Sequence, residues 1–351
     1  MKKIKEDKWL LVSCLQKSIR KGFVTLAHNY AEKLYDLERS YLVYRLSVIA
    51  IEDIGLGNTN LVHDFLSTKI QKDKIEELGG KDYVMRIVSE LTTSIKDRSA
   101  CEVVTLASFY KEKYTETKKT NEEVFLDNEE LIVNRVIAGW EILGVKNFKH
   151  VEENNLENFI ELNSRFIQDE KILNIIRYAH SIHKETHFSS YGLLSYVYEK
   201  EKKKKIKVGK FETGDYVSTD CPIDLIDNKW LIDGVDWHTK EGKSAIYEFI
   251  TENTAIMSYV RSMKLDKESM ASIVGNLLFR KVGHQVDKRL IYPTAIVILK
   301  LTEQMVFKSI TSGNEQADFF KGISLIERSM PLLNSKIKNQ FVIANPTYFP
   351  F

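Results

Sequence analysis

Apolar residues recur at the 3.6-residue helical period along most of the chain, and glycines or charge runs interrupt the pattern. The spacing predicts helices over 8–21, 23–36, 41–54, 59–70, 81–94 and 99–113. Trp9, Val12, Leu15 and Ile19 form the expected inner side of the first, and Leu42, Leu46, Ile49 and Ala50 that of the third. Asn58 or Thr59 is positioned to cap the fourth helix, and Asp97 or Ser99 the sixth. A polar, charged stretch at 111–129 follows, and helical periodicity resumes at about 129–143, 157–167, 169–199, 239–263, 267–283 and 293–312.

Proline sharpens this picture. The first is Pro222 and the chain holds only five, so the turn signals that a β-rich architecture needs are missing. The predicted class is all-α. Residues 211–237 depart from it, holding glycines, a proline and β-branched residues that read as a long loop or a small strand-bearing insertion. The resulting organisation is a helical domain over 1–115, a second over 129–331 with a lysine-rich insertion at 200–237, and a tail over 332–351.

The 351 residues are 43% hydrophobic and 28% charged, ordinary for a chain with a sizeable core. A net charge of +2 means that any strongly basic surface must be local. Three widely spaced cysteines, without CxxC spacing, argue for reduced thiols and against a zinc module. MKKIKEDKW lacks the apolar core of a signal peptide, and no apolar run is long enough to span a bilayer. The expectation is a soluble cytoplasmic protein without a membrane contact or a cofactor.

The most motif-like stretch is Arg45-Leu46-Ser47-Val48-Ile49-Ala50-Ile51-Glu52-Asp53-Ile54-Gly55-Leu56. Leu15-Gln16-Lys17-Ser18-Ile19-Arg20 with Gly22 and Ala31 to Leu34 precede it, and Gly79-Gly80 and Lys96-Asp97-Arg98-Ser99-Ala100 follow. Together these resemble the C-terminal collar region of the RarA/MgsA family, clamp-loader-related AAA+ ATPases that act at stalled replication forks. The resemblance covers about residues 9–107. It implies an oligomerising helical module without catalytic residues, in which Arg45, Glu52, Asp53 and Gly55 serve structure and assembly. The family's ATPase core is missing: the only GKS, Gly242-Lys243-Ser244, has Trp237 where a P-loop needs glycine. A collar without its motor points to a phage or mobile-element protein.

Several groups invite chemistry, and each has a plainer reading. Glu52 and Asp53 are paired carboxylates, but adjacent helical positions diverge by about 100°, which favours a buried polar network tied to Arg45 or to a chain terminus. His180, His183 and His187, on one predicted helix, are candidate zinc ligands, although the outer two lie about 10 Å apart along its axis. A solvated or partly buried histidine face is the simpler account. Residues 233–243, DGVDWHTKEGK, read either as a reactive cluster of Asp233, Asp236, His238 and Lys243 or as a helix start capped by Asp236 or Thr239.

Two features point to partners. Lys200, Lys202, Lys203, Lys204, Lys205, Lys207 and Lys210 crowd one short run beside Tyr196 and Tyr198, as for a surface where lysines track phosphates and tyrosines stack on bases. A solvated helix end is its bland reading. Tyr348, Phe349 and Phe351 form an aromatic terminus suited to docking on the chain's own core, on a sister protomer or in a partner's basic pocket. The functional expectation is a non-enzymatic accessory factor of DNA replication, recombination or phage transcription. It would bind single-stranded or forked DNA, or replication or transcription proteins, and form a homo-oligomer. Its rivals are an inhibitor that mimics the collar of a host oligomer and a metal-dependent hydrolase using His180, His183, Asp233, Asp236 and His238.

Overall fold

The computed structural model describes residues 8–344 apart from 72, 112–113, 115–118, 148–149, 152–154, 183–185, 227 and 312–316. Among these residues the fold is all-α, and strands form only short antiparallel pairs. The helices are α1 (Lys8–Arg20), α2 (Val24–Ile49), α3 (Thr59–Ile70), α4 (Lys74–Glu77), α5 (Lys81–Thr93), α6 (Ser99–Tyr110), α7 (Asn121–Leu126) and α8 (Ile132–Leu143). There follow α9 (Leu156–Ser164), α10 (Glu170–Ile182), α11 (His187–Lys203), α12 (Lys240–Glu252), α13 (Thr254–Ser262), α14 (Lys267–Leu278), α15 (Pro293–Ile310) and α16 (Phe319–Ala344).

Differences from the periodicity lie at breaks and ends. α2 continues through the expected gap near residue 38, with a kink at Glu38 (φ −161°, ψ 79°). The 239–263 stretch divides at Asn253, whose side chain accepts the Ile256 N–H and so starts a new helix. The tail expected over 332–351 starts as helix, and 345–351 lie outside the described residues. Residues 332–344 belong to α16, which runs through Pro331. A mid-helix proline costs about 3 kcal/mol. Ile326, Leu333 and Ile337 are buried along one side of the helix while Pro331 stays exposed. At about 1.5–3 kcal/mol for each fully buried side chain, packing outweighs the lost backbone bond. Tyr348, Phe349 and Phe351 lie outside the described residues.

The chain forms two compact units: Met1–Leu37, Asp220–Val286 and Glu303–Phe351 make the first, Glu38–Thr219 and Asp287–Thr302 the second. The polar stretch 111–129, expected as a domain boundary, falls inside the second unit, and the expected 1–115 domain is shared between both. Helices α2 and α15 each pass from one unit into the other.

In the first unit α12, α13 and α14 pack on α16, and α1 packs on a short turn at Ile232–Gly234. α1 turns Leu11, Cys14, Leu15 and Ile19 inward, whereas Trp9, expected on that side, is 65% exposed. The Tyr30 hydroxyl closes the hairpin of Leu225–Ile226 and Trp230–Leu231, donating to the Lys229 carbonyl at 3.0 Å and accepting from the Leu231 N–H at 2.8 Å. Gly234 lets this hairpin meet α1: a Cβ there would stand 2.3 Å from the Cys14 Sγ.

In the second unit α10 packs on α3, α7 on α8, and α6 on α8 and α11. Trp140, fully buried, donates its indole N–H to Ser189 Oγ at 2.9 Å. Phe125 makes tilted ring contacts with Phe159 and Phe166. The strand Tyr216–Ser218 pairs with Lys288–Leu290, which returns the chain to this unit before α15 begins.

Burial pushes the Cys14 thiol up to about 12, so it stays protonated and shielded at neutral pH. Ellman's reagent at pH 8 is expected to modify the partly exposed Cys101 and Cys221 in the folded protein and to reach Cys14 only after guanidinium unfolding. Native labelling of Cys14 at the rate of the other two would contradict this packing.

Candidate functional site

The Glu52–Asp53 stretch forms the junction between α2 and α3. α2 ends in one π-helical turn, Ala50–Ile54, followed by a 3₁₀ turn, Gly55–Asn58, and Asn58 caps α3 by accepting the Leu61 N–H. The turned chain presses against 95–99. Gly55 has φ +47° and ψ −126°, and a Cβ there would lie 2.7 Å from the Asp97 carbonyl oxygen. A Cβ on Gly57 would lie 2.2 Å from the Ile95 carbonyl oxygen. Both positions require glycine, one for backbone conformation and both for space.

This contact is polar and buried. Asp53 (0% exposed) pairs with Arg98 (2% exposed). Asp97 accepts the Leu56 N–H at 3.3 Å and both the N–H and hydroxyl of Ser99 at 3.1 and 3.0 Å. Burial raises the Asp97 carboxyl from its ordinary value, and these donors partly offset the rise. The Tyr191 hydroxyl donates to the Gly55 carbonyl at 3.0 Å, and the Tyr292 hydroxyl donates to Ser99 Oγ. Half-buried Glu52 points elsewhere, 3.8 Å from His187 Nε2, and Arg45 is half-buried. The carboxylates thus diverge, as helical geometry requires.

The 233–243 segment serves the first unit's packing. Thr239 caps α12 by accepting the Gly242 N–H, one of the two caps anticipated. Asp236 is buried against Lys17, and Asp233 pairs with Lys21, so both acids are bound to α1 and to the residue that ends it. Lysines buried on the first helix were the signal that sequence reading missed: Lys17 and Lys21 are only 6% and 4% exposed. Burial pushes the Asp236 carboxyl up, but Lys17 and His238 more than offset this and hold it well below the usual carboxylate range.

The histidine set is not presented by one helix. His180 lies in the last turn of α10 and meets Phe188 edge-on, His187 opens α11 beside Glu52, and His183 lies outside the described residues. No group of three or more potential metal ligands occurs among the described residues.

The lysine run forms an exposed corner of the second unit. α11 carries Lys200, Lys202 and Lys203 to its end, Lys204 and Lys205 turn the chain (Lys205 at φ 46°), and Lys207 and Lys210 lie on the hairpin of Lys207–Val208 and Phe211–Glu212. All seven are exposed. Acidic neighbours are few: Glu199 stands 3.7 Å from Lys202, and Glu212 lies opposite Lys207 in the hairpin. Glu201 instead accepts from the Thr294 hydroxyl at 2.6 Å.

The two tyrosines are engaged within the fold. Tyr196 packs on Phe166, with ring centroids 5.1 Å apart, and lies 6.0 Å from the Arg135 guanidinium. Tyr198 meets Tyr292 edge-on at 5.3 Å and Lys202 at 5.6 Å. Both are half-buried, whereas the ring of Phe211, on the same hairpin as Lys207 and Lys210, is exposed.

Compared with protein-family models, with curated proteins and with solved structures, the chain matches none. No described helix is long and apolar enough to cross a membrane.

The Lys17–Asp236 pair gives a pH-dependent prediction. A carboxyl with a depressed folded pKa contributes stability above its unfolded value of about 3.9, and this contribution is lost as pH falls through the folded value. Asp236→Asn leaves Lys17 buried without its counter-charge and is expected to cost the first unit about 3–5 kcal/mol at pH 7. The deficit should shrink steadily below about pH 4, where the wild type loses the same contribution. Urea unfolding followed by fluorescence measures this, since Trp9, Trp230 and Trp237 lie in that unit. An equal deficit at pH 3 and pH 7 would contradict the pairing.

Proposed function

We propose that this protein is a non-enzymatic nucleic-acid-binding accessory factor, working in DNA replication or recombination and contacting the phosphate backbone through its lysine corner. The observation that carries the reading is the exposure of Lys200, Lys202, Lys203, Lys204, Lys205, Lys207 and Lys210 at one helix end and hairpin. Across 199–212 these seven lysines stand against Glu199, Glu201 and Glu212, giving 7 − 3 = +4 on a chain whose total is +2. Such a patch releases condensed counterions when it meets a polyanion, which makes binding favourable and strongly salt-dependent. The collar resemblance supplies the setting, replication forks.

The geometry alters one expectation. With Tyr196 and Tyr198 already packed against Phe166 and Tyr292, exposed Phe211 is the ring best placed to meet a base, and recognition rests chiefly on the backbone. The protein should therefore bind without sequence preference and take duplex and single strand by charge density.

Labelled oligonucleotides titrated at increasing salt test this. The wild type should show a log–log salt slope of about −0.7 per neutralised phosphate on single strands and about −0.9 on duplex. Simultaneous change of Lys202, Lys203, Lys204 and Lys205 to Glu should abolish the shift while leaving the circular dichroism spectrum unchanged. Absence of any shift at low salt for the wild type would sink the proposal.

A further inference from the structure

The second unit contains a cavity of about 560 Å³ between α6, the start of α8, the end of α11 and the start of α15. That size falls within the range of small-ligand sites. Its lining is mainly aliphatic, and Leu131, Val297 and Leu301 are exposed to 65%, 54% and 40%. Exposed aliphatic side chains grouped around an open cavity are unusual on a surface with no further role.

The charges around this cavity are unbalanced. Glu130 and Glu201 both line it, but their carboxylates are already occupied. Glu130 accepts from the Leu131 N–H at 3.1 Å and from the Asn134 amide at 2.7 Å, while Glu201 accepts from the Thr294 hydroxyl and N–H. Lys200 and Lys204 also line the cavity and have no carboxylate partner among the described residues.

Arg135 lies in the same lining and is only 3% exposed. Its Nε donates to the Phe125 carbonyl at 2.8 Å, and its guanidinium lies 5.7 Å from the Phe166 ring and 6.0 Å from the Tyr196 ring. Its Nη2 is buried without a hydrogen-bond partner, and no carboxylate forms an ion pair with it among the described residues. Asp127 pulls on this guanidinium only from a distance, without a direct ion pair, so a buried arginine with an unfilled donor is costly and its retention needs an explanation.

We propose that this cavity binds an amphipathic monocarboxylate, a medium- or long-chain fatty acid, with its hydrocarbon against the aliphatic lining and its carboxylate between Arg135 and the Lys200–Lys204 rim. A carboxylate supplies two acceptor oxygens in the planar arrangement that a guanidinium donates to best. Tyr196, half-buried over the guanidinium, is the side chain that yields to let the head group reach Nη2. The proposal is independent of nucleic-acid binding, although Lys200 and Lys204 belong to both surfaces.

Calorimetric titration of the intact protein with laurate, dodecanol and acetate, each below its aggregation threshold, tests the site. One laurate per chain should bind at micromolar concentration, with dodecanol at least tenfold weaker and acetate undetectable. Arg135→Met, which keeps bulk and removes charge, should weaken laurate at least tenfold without bringing dodecanol below its wild-type affinity. Should Arg135→Met unfold, Lys200→Glu with Lys204→Glu alters only exposed residues and should weaken laurate severalfold in a folded protein. Equal affinity for laurate and dodecanol, an affinity indifferent to these substitutions, or binding only to anionic vesicles would overturn the proposal.

Discussion

The second unit depends on the buried contact between the turn at 53–57 and the segment 95–99. The Asp53–Arg98 pair is buried, and the surrounding Asp97, Ser99, Tyr191 and Tyr292 bring hydroxyls, a carboxylate and backbone groups to the same place. Two glycines make this possible by letting backbone approach backbone where a Cβ would collide. The backbone bonds of Lys96 to Lys288 and Leu290 attach the returning strand to the same point. Much of the cavity wall is anchored here. α6 starts at Ser99, Tyr191 sits on α11, and Tyr292 immediately precedes α15.

Buried ion pairs occur in both units, with Asp53–Arg98 and Lys96–Asp287 in the second, but the two differ in the charge left over. In the first, Lys17 and Lys21 are buried against Asp236 and Asp233 and serve packing. In the second, the lysines of 200–210 are exposed with few acids nearby, and Arg135 is buried with an unfilled donor and no direct ion pair among the described residues. A buried pair leaves no charge over for a ligand, whereas exposed lysines with few acids nearby remain available to an anion. That difference separates the segment 233–243, which looked reactive in sequence, from the lysine corner and the cavity.

Much of the fold was legible because helical periodicity and caps are local. The starts and ends of α1, α3 and α5, the Asn58 cap and the Thr239 cap all follow from neighbouring residues. The continuation of α16 through Pro331 was not, because distant packing of Ile326, Leu333 and Ile337 overrides a local breaker. Nor were the compact units, since each is assembled from separated stretches of chain. The site shows the same divide. The lysine run is visible as composition, and Glu52 with Asp53 as a motif, yet Arg98 as the partner of Asp53 lies 45 residues away. Arg135 carries no sequence signal, because an arginine in an amphipathic helix reads as surface until its burial is seen.

Hydrogen exchange on the intact protein tests the central claim most directly, that the 53–57 and 95–99 contact holds the second unit together. The amides of Leu56, Lys96, Asp97 and Leu290 donate across it or to its returning strand. They should exchange among the slowest in that unit, and orders of magnitude more slowly than the exposed hairpin at 207–212. Exchange of these four at the hairpin's rate would contradict the account.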